Sequence, residues 1–283
     1  MKIISTCLAL IMWASAVNAK ELHIVSAGSK TGSLTMQATA YASDLANTYQ
    51  LQLSAPGNFC QALTQVNSTT PTMFLWAHDF EAAVQSGQCP VKLPANMQPI
   101  RFIKSSSLIC SLTNADSIFK GNAKIAHTVP KKMFSTVISN INTAFGTAHQ
   151  GVMFNGSGQV RLALLNGEVD LAILTNEHAD VIRSKGGSCK FVLDDQSNMP
   201  GVVPLQQFSQ SVKLRHSFNT MVYAVNMSKA QAAELKRNMQ QAHKNCNSAI
   251  CQYTRCDSLL DLSWEIDQKI LSRWQEDVAD LIE

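Results

Sequence analysis

The chain predicts an α/β protein folded as two lobes. Three observations carry that prediction. Apolar strand-like runs alternate with helical patterns through the first ninety residues. A second alternating series begins at "AKIAH" and runs to "KFVLD". A late strand, "SFNTMVYAVN" at 217–226, is followed by helices that can rejoin the first series, as crossovers between lobes require. With 283 residues, 46% hydrophobic and 15% charged, the chain can fill two cores.

The front of the chain, "MKIISTCLALIMWASAVNA", reads as a secretory leader. Lys2 starts it, Ile3 to Ala14 is a short apolar core, and Val17-Asn18-Ala19 offers small residues for cleavage after Ala19. The apolar core is too short for a membrane anchor, which needs about 20 apolar residues. Residues 1–19 are therefore expected to be removed, leaving an exported protein.

In the first series, "ELHIVSA" at 21–27 is a strand and 33–48 has helical spacing. "LQLSA" is a short strand, "PGNFCQALTQV" a loop and helix, and "TMFLWA" a buried-type strand. Two extended stretches follow, "PIRFIKSS" and "LICSL". The second series reads as strand "AKIAH", helix 131–144, strand "GVMFN", loop and helix "GSGQVRLALLNG", strand "VDLAILT", helix "EHADVIRSKGG" and strand "KFVLD". Residues 195–217 read as loop, with Pro200, Gly201 and Pro204. After strand 217–226, Ser228 caps a strong helix, and a last helix is expected at 262–281. The expected division is lobe one at 20–112, lobe two at 113–217, and a return to lobe one at 218–283.

Charge excludes one class of partner. The formal net charge is +3, the longest basic run is Lys131-Lys132, and no basic stripe carries interleaved aromatics. Nucleic-acid binding is disfavoured.

Eight cysteines, less Cys7 in the leader, leave seven, so an oxidising compartment leaves at least one unpaired. Cys60 and Cys89 flank one strand of one series and are expected to pair. One further bond is expected among Cys246, Cys251 and Cys256. A zinc site is the rival reading for that trio. Its four-residue gaps sit at the edge of zinc spacing, and no second cluster or nearby histidine completes a set. No metal and no cofactor is expected.

Four stretches, in order, resemble the periplasmic substrate-binding receptors of tripartite tricarboxylate transporters, the Bug family. They are the opening strand with "TGSLT" and a helix ending "YASDL"; "APGNFCQAL" with "TMFLW"; "VMFNGSGQVRLALLNGEVDLAIL"; and "NMPGVVPLQQF". The opening loop is also similar to that of TAXI-type TRAP receptors. Departures mark a divergent sequence: Thr35 stands at the family's first-loop aspartate, and Phe59 and Cys60 stand where glycines are usual. The resemblance implies a type II periplasmic-binding-protein-like fold with the ligand cleft between lobes. It also implies capture of a small carboxylate or other anionic solute, delivery to membrane permease subunits, and a monomeric receptor.

Ligands in open α/β sheets bind beyond the carboxyl ends of strands. That rule gathers 27–33, 57–61, 127–130, 155–158 and 175–177 around one cleft. "AGSKTGS" is the leading anion cradle, offering backbone N–H groups near Gly28, Thr31 and Gly32, hydroxyls of Ser29 and Ser33, and a helix N-terminus behind them. Lys30 can add a point charge. It is not a nucleotide loop, because Ser29 precedes the lysine and Ile24 stands at the earlier glycine position. Asn58 and Gln61 represent the second loop, and His127 and Thr128 the third. Ser157 stands with Asn155 at a helix start where both can cap, and Thr175 and Asn176 lie at the last strand end. Asp170 opens its strand at the far end and is expected to be structural. Asn67-Ser-Thr and Asn155-Gly-Ser match glycosylation sequons.

Catalysis has little support: the seven histidines are scattered and no nucleophile elbow is present. A secreted interaction or signalling protein on the same fold, or an exported enzyme, remains the alternative class.

Overall fold

The computed structural model describes residues 20–66, 69–128, 131–194, 197, 199–209, 214, 216–254 and 261–282. The expected leader, Cys256, and part of 195–217 lie outside the described residues.

The first series is β1 (Lys20–Ser26), α1 (Ser33–Leu45), β2 (Tyr49–Ser54), α2 (Phe59–Val66), β3 (Thr72–Ala77) and α3 (His78–Gln85). Then comes β4 (Gln98–Ser111). The second series is β5 (Lys124–Thr128), α4 (Lys131–Phe145), β6 (Gln150–Phe154), α5 (Ser157–Leu165), β7 (Leu171–Thr175), α6 (Asn176–Ser184) and β8 (Ser188–Val192). A short β9 (Val203–Pro204) and a 3-10 turn at 205–208 occupy the stretch expected to be loop. The return consists of β10 (Ser217–Val225), α7 (Lys229–Lys244), α8 (Ala249–Thr254), β11 (Asp261–Ser263) and α9 (Gln268–Ile282).

The two extended stretches after residue 98 are one 14-residue strand, about 45 Å long at the usual rise. Its first part pairs antiparallel with β10, from Gln98↔Ala224 to Ser106↔Ser217, and with β11. From Ser107 onward it pairs instead with β7 and β8. One strand thus belongs to both halves, so the strands form one hydrogen-bonded path, β2-β1-β3-β10-β4-β7-β5-β6. Around β4 sit two lobes. The first holds the parallel pairs β1–β2 and β1–β3, and the second holds β5–β6 and β5–β7.

Strand periodicity builds a core on each face of each half. Ile24, Met73 and Leu75 face one cluster, with Tyr41 of α1 and Leu235 and Met239 of α7. Their neighbours Val25, Phe74 and Trp76 face another, with Leu63 of α2 and Trp274 and Val278 of α9. In the second lobe, Ile109, Ile125 and Ile173 pack on Ile138 and Ile141 of α4. Leu108, Ala126 and Leu174 pack on Val160 and Ile182 of α5 and α6.

Three local features match the sequence reading. Ser228 and Gln231 form a capping box at α7. Asp170 accepts from the Lys124 N–H at 2.8 Å, tying β5 to the turn before β7. Cys60 and Cys89 are joined in a disulfide that closes 29 residues. A second disulfide, Cys110–Cys189, locks β4 to β8 directly across their register and closes 79 residues. Loop-closure entropy alone assigns them roughly 3–4 and about 4.5 kcal/mol. Cys251 is also disulfide-bonded, and Cys246 is free and exposed.

Candidate functional site: a closed cleft between the lobes

A cavity of about 210 Å³ lies between the lobes. The first lobe lines it with the loop from Ala27 to Leu34, with Gly57, Asn58 and Phe59, and with Asp79, Phe80 and Gln88. The second lobe contributes Thr128, Asn155–Ser157 and Ile173–Thr175. Ser107 of β4, and His216 and Phe218 from the chain's return crossing, complete the wall.

Five helices begin at this wall: α1 at Ser33, α2 at Phe59, α3 beside Asp79, α5 at Ser157 and α6 just after Thr175. Their first-turn N–H groups have no partner inside the helix and carry the positive end of the dipole. No lysine or arginine lines the cavity among the described residues. The donors that the described wall offers an anion are peptide N–H groups, hydroxyls and the side-chain amides of Asn58, Gln88 and Asn155. The Ser29 hydroxyl is buried with no hydrogen-bond partner, so it is one such donor.

The lobes touch directly across the cleft. Ser33 Oγ and Thr175 Oγ1 are 2.8 Å apart. The Ser33 N–H donates to Ser157 Oγ at 3.4 Å. Behind this contact, Gln37 of α1 donates to Glu177 of α6 at 3.5 Å, and the Tyr253 hydroxyl of α8 donates to the Ser33 carbonyl at 3.4 Å. Glycines make the approach feasible. A Cβ at Gly156 would lie 2.0 Å from Ser29 Oγ, and one at Gly158 would lie 2.4 Å from Thr31 Oγ1. Gly156 also has φ 122°, a backbone that L side chains rarely adopt.

Eight of the residues expected at the site line the cavity: Gly28, Ser29, Gly32, Ser33, Asn58, Thr128, Ser157 and Thr175. Five do not. Lys30 and Gln61 are exposed, with long side chains that stay in water. Thr31 is exposed and packs against Gly158 rather than the cavity. Successive strand residues point to opposite faces, so Thr128 faces the cleft and His127 lines a separate cavity beside α4 with His149 and Gly151. Asn176 is buried at the start of α6 and does not reach the wall. The cap of α5 is Gly156 without a side-chain bond, so neither Asn155 nor Ser157 caps it. Asn58 does cap, accepting from the Cys60 and Gln61 N–H groups at 2.9 and 3.2 Å.

The sequence reading missed Asp79, Gln88, Ser107, His216 and Phe218. Ser107 Oγ and His216 Nδ1 are 2.7 Å apart and tie the two crossing strands together. Burial, with help from His78, lowers His216 to about 3, so the ring is neutral. Burial pushes the Asp79 carboxyl up to about 7, against hydrogen bonds from the Phe80 and Asp79 N–H groups that favour its charge. Glu177 is raised by burial, opposed by Thr175, Gln37 and Tyr253.

No protein-family profile matches the sequence, and no curated protein matches it. Solved structures do. MatC (Rpa3494) from Rhodopseudomonas palustris, with bound malate, aligns over 93% of this chain and 99% of its own at 16% identity and TM-score 0.68. The periplasmic binding protein BugD covers 93% and 95% at 13% identity and TM-score 0.71. R. palustris Rpa4515 with adipate covers 92% and 94% at 12% identity and TM-score 0.72. The chain has the two-lobed fold of these solute-binding proteins. The match extends over nearly the full length of each. Among the described residues no helix is long and apolar enough to cross a membrane.

Proposed function

We propose that the protein is a periplasmic solute receptor that closes two lobes on a small carboxylate and presents it to a membrane transporter. The observation that carries this reading is the cleft itself: five helix N-termini and the 28–33 loop converge on a cavity of about 210 Å³ with no lysine or arginine among its described lining residues. Such a wall binds an anion through aligned peptide N–H groups, each helix contributing roughly 0.3–1 kcal/mol and up to about 2 when partly buried. Structural neighbours caught with malate and adipate support a carboxylate as the anion. Binding rather than turnover fits the same wall, whose one histidine among the described lining residues, His216, is held neutral and bonded to Ser107.

In this reading residues 20–112 with 218–283 form one lobe and residues 113–217 the other. They would turn about β4 and the return into β10, a hinge motion in which two connections keep the lobes in register. The chain acts after removal of residues 1–19, as a monomer that docks on permease subunits. The cradle is Gly28, Ser29, Gly32 and Ser33 facing Ser157 and Thr175.

Native mass spectrometry of purified protein, followed by calorimetry with the retained molecule and with malate, adipate and succinate, tests this. A retained carboxylate, or saturable binding of one, is the expected result. A protein that retains none and binds none is not this receptor.

A further inference from the structure

We infer that the cleft selects a carboxylate that also carries an ammonium group, and that Asp79 is the residue that selects the amine. This rests on the carboxylate-receptor reading and narrows it.

The argument begins with the wall's charges. Among the described lining residues, Asp79 is the one acid, and no lysine or arginine accompanies it. A ligand with two carboxylates would place its second negative charge in a confined space already holding an acid, with no described lysine or arginine in the lining to offset either. A ligand with one carboxylate and one ammonium matches the wall at both ends: N–H groups and hydroxyls at 28–33 and 157 for the anion, a carboxylate for the cation.

Asp79 itself lacks a structural counter-charge. It is 1% exposed, and its carboxylate accepts from the Phe80 N–H at 3.0 Å on its own helix. It forms no ion pair and meets no side-chain donor among the described residues. An acid placed only to cap α3 would do so in water, where charge at a helix N-terminus is favourable. Here burial outweighs the helix and pushes the group up to about 7. A carboxyl held in that state ionises fully when a cation arrives beside it. Its neighbours suit the apolar remainder of a small zwitterion. Phe59 and Phe80 stack at 5.3 Å between ring centres, and Phe218 also lines the cavity. Aromatic faces are compatible with an adjacent ammonium.

Several titratable groups surround this position. His78 and Glu81 share α3 with Asp79. Asp277 of α9 accepts from Asn219 of β10, and α9 also sends Trp274 to Glu81 at 2.8 Å. Tyr223 lies on β10, and His216 lies in the connection before it. These groups are present in the native protein and in an Asp79→Asn variant alike, so the comparison of the two is directed at Asp79.

Calorimetry with matched probes decides the matter. The pairs are L-leucine with 4-methylpentanoate, L-phenylalanine with 3-phenylpropanoate, and 5-aminopentanoate with pentanoate; succinate stands for the dicarboxylates. In at least one pair the amine-bearing member should bind the native protein about tenfold or more tightly than its partner. Asp79→Asn, which keeps the acceptor for the Phe80 N–H, should abolish that preference. Lowering the pH from about 8 to about 5.5 should erode the preference in the native protein, because binding requires the ionised carboxyl, and leave the Asn variant flat. Succinate or the amine-free acids binding as tightly as the amine-bearing ones would overturn the inference and leave the carboxylate-receptor reading intact. Binding of no probe of either kind would overturn both. If Asp79→Asn fails to fold, the matched pairs on the native protein still decide.

Discussion

Among the described residues, the first-lobe wall of the cleft starts three helices and carries one acid, whereas the second-lobe wall starts two helices, offers hydroxyls and carries no acid. The second lobe instead supplies Gly156 and Gly158, where an added Cβ would collide with Ser29 and Thr31 of the first lobe. The difference separates two tasks. Closure needs backbone approaching side chains without bulk, and the second lobe does that. Discrimination needs a charge held out of water, and the first lobe does that through Asp79. Neither wall has a lysine or arginine among its described residues, so the attraction for an anion that they offer comes chiefly from the peptide backbone.

The largest expected effect comes from filling the second wall. Gly156→Val puts branched bulk within 2.0 Å of Ser29 Oγ and forces a side chain onto φ 122°. Both lobes should still fold, since Gly156 belongs to neither core, but they should not close. Calorimetry should show affinity for the retained solute reduced about 100-fold or more. The corresponding change in the first wall, Gly32→Ala, meets Ser29 Oγ at 2.9 Å, a side chain of the same loop that can rotate, and the Ser29 carbonyl only at 3.4 Å. It should cost far less. Equal losses in the two variants would mean that closure is not what Gly156 protects.

The crossing strands come next. His216 titrates near 3 in the folded protein, against an ordinary 6.5. Below pH 6.5 the unfolded chain therefore binds the proton and the folded one does not. Stability from this group is fully present above about 6.5 and falls by roughly 1.4 kcal/mol per pH unit below it, about 2–3 kcal/mol by pH 4.5 as an upper bound. His178, at about 4, and His78 act in the same direction. His216→Asn can still accept from Ser107 and should remove its share of the acid sensitivity. Urea melts at pH 7 and 4.5 measure it, and an unchanged pH slope would show that the ring does not stay neutral.

How much of this was readable in the sequence follows the same division. The cradle residues Gly28, Ser29, Gly32 and Ser33 announce themselves because a strand, small residues and a helical pattern are all local signals. Thr128, Ser157 and Thr175 follow from the rule that strand ends face the ligand. Asp79 is missed because the reading of the first series ends at the strand "TMFLWA" and expects no helix after it; the packing of α3 beside the cleft is what buries the carboxyl. Ser107 is hidden because β4 reads as two extended stretches, 99–106 and 108–112, with Ser107 between them, so the long strand that crosses between lobes is lost; His216 is hidden because 195–217 reads as loop. The Cys60–Cys89 pairing lies within one α/β unit and could be guessed, but Cys110–Cys189 joins strands 79 residues apart and depends on their register.

The latch behind the cleft should show a smaller effect. Glu177 is buried where the lobes meet, and burial raises its carboxyl against the bonds from Thr175, Gln37 and Tyr253. Its neutral form is the one the folded state favours, so its contribution is present at low pH and lost as pH rises through the raised value. Glu177→Gln keeps an acceptor for Gln37 and carries no charge. It should raise the thermal midpoint at pH 8 by the equivalent of about 1 kcal/mol and leave it nearly unchanged at pH 5. A loss of stability at both pH values would mean that the charge, not the hydrogen bonding, holds the latch.

The smallest effect should be at Lys30, and it sharpens the comparison most. Lys30 stands in the middle of the cradle sequence and is the obvious cation for an anion site, yet it is exposed and absent from the wall. At that position its charge is solvated and screened within a Debye length of about 8 Å at physiological salt. It can attract an approaching anion but gains little on closure. Lys30→Ala should therefore change the equilibrium affinity by less than about twofold, with a modestly slower association that vanishes at high salt. Stopped-flow binding at low and high ionic strength separates the two contributions. A tenfold loss of affinity that persists at high salt would place the lysine on the ligand, and would mean that the first wall holds its anion with a side-chain charge after all.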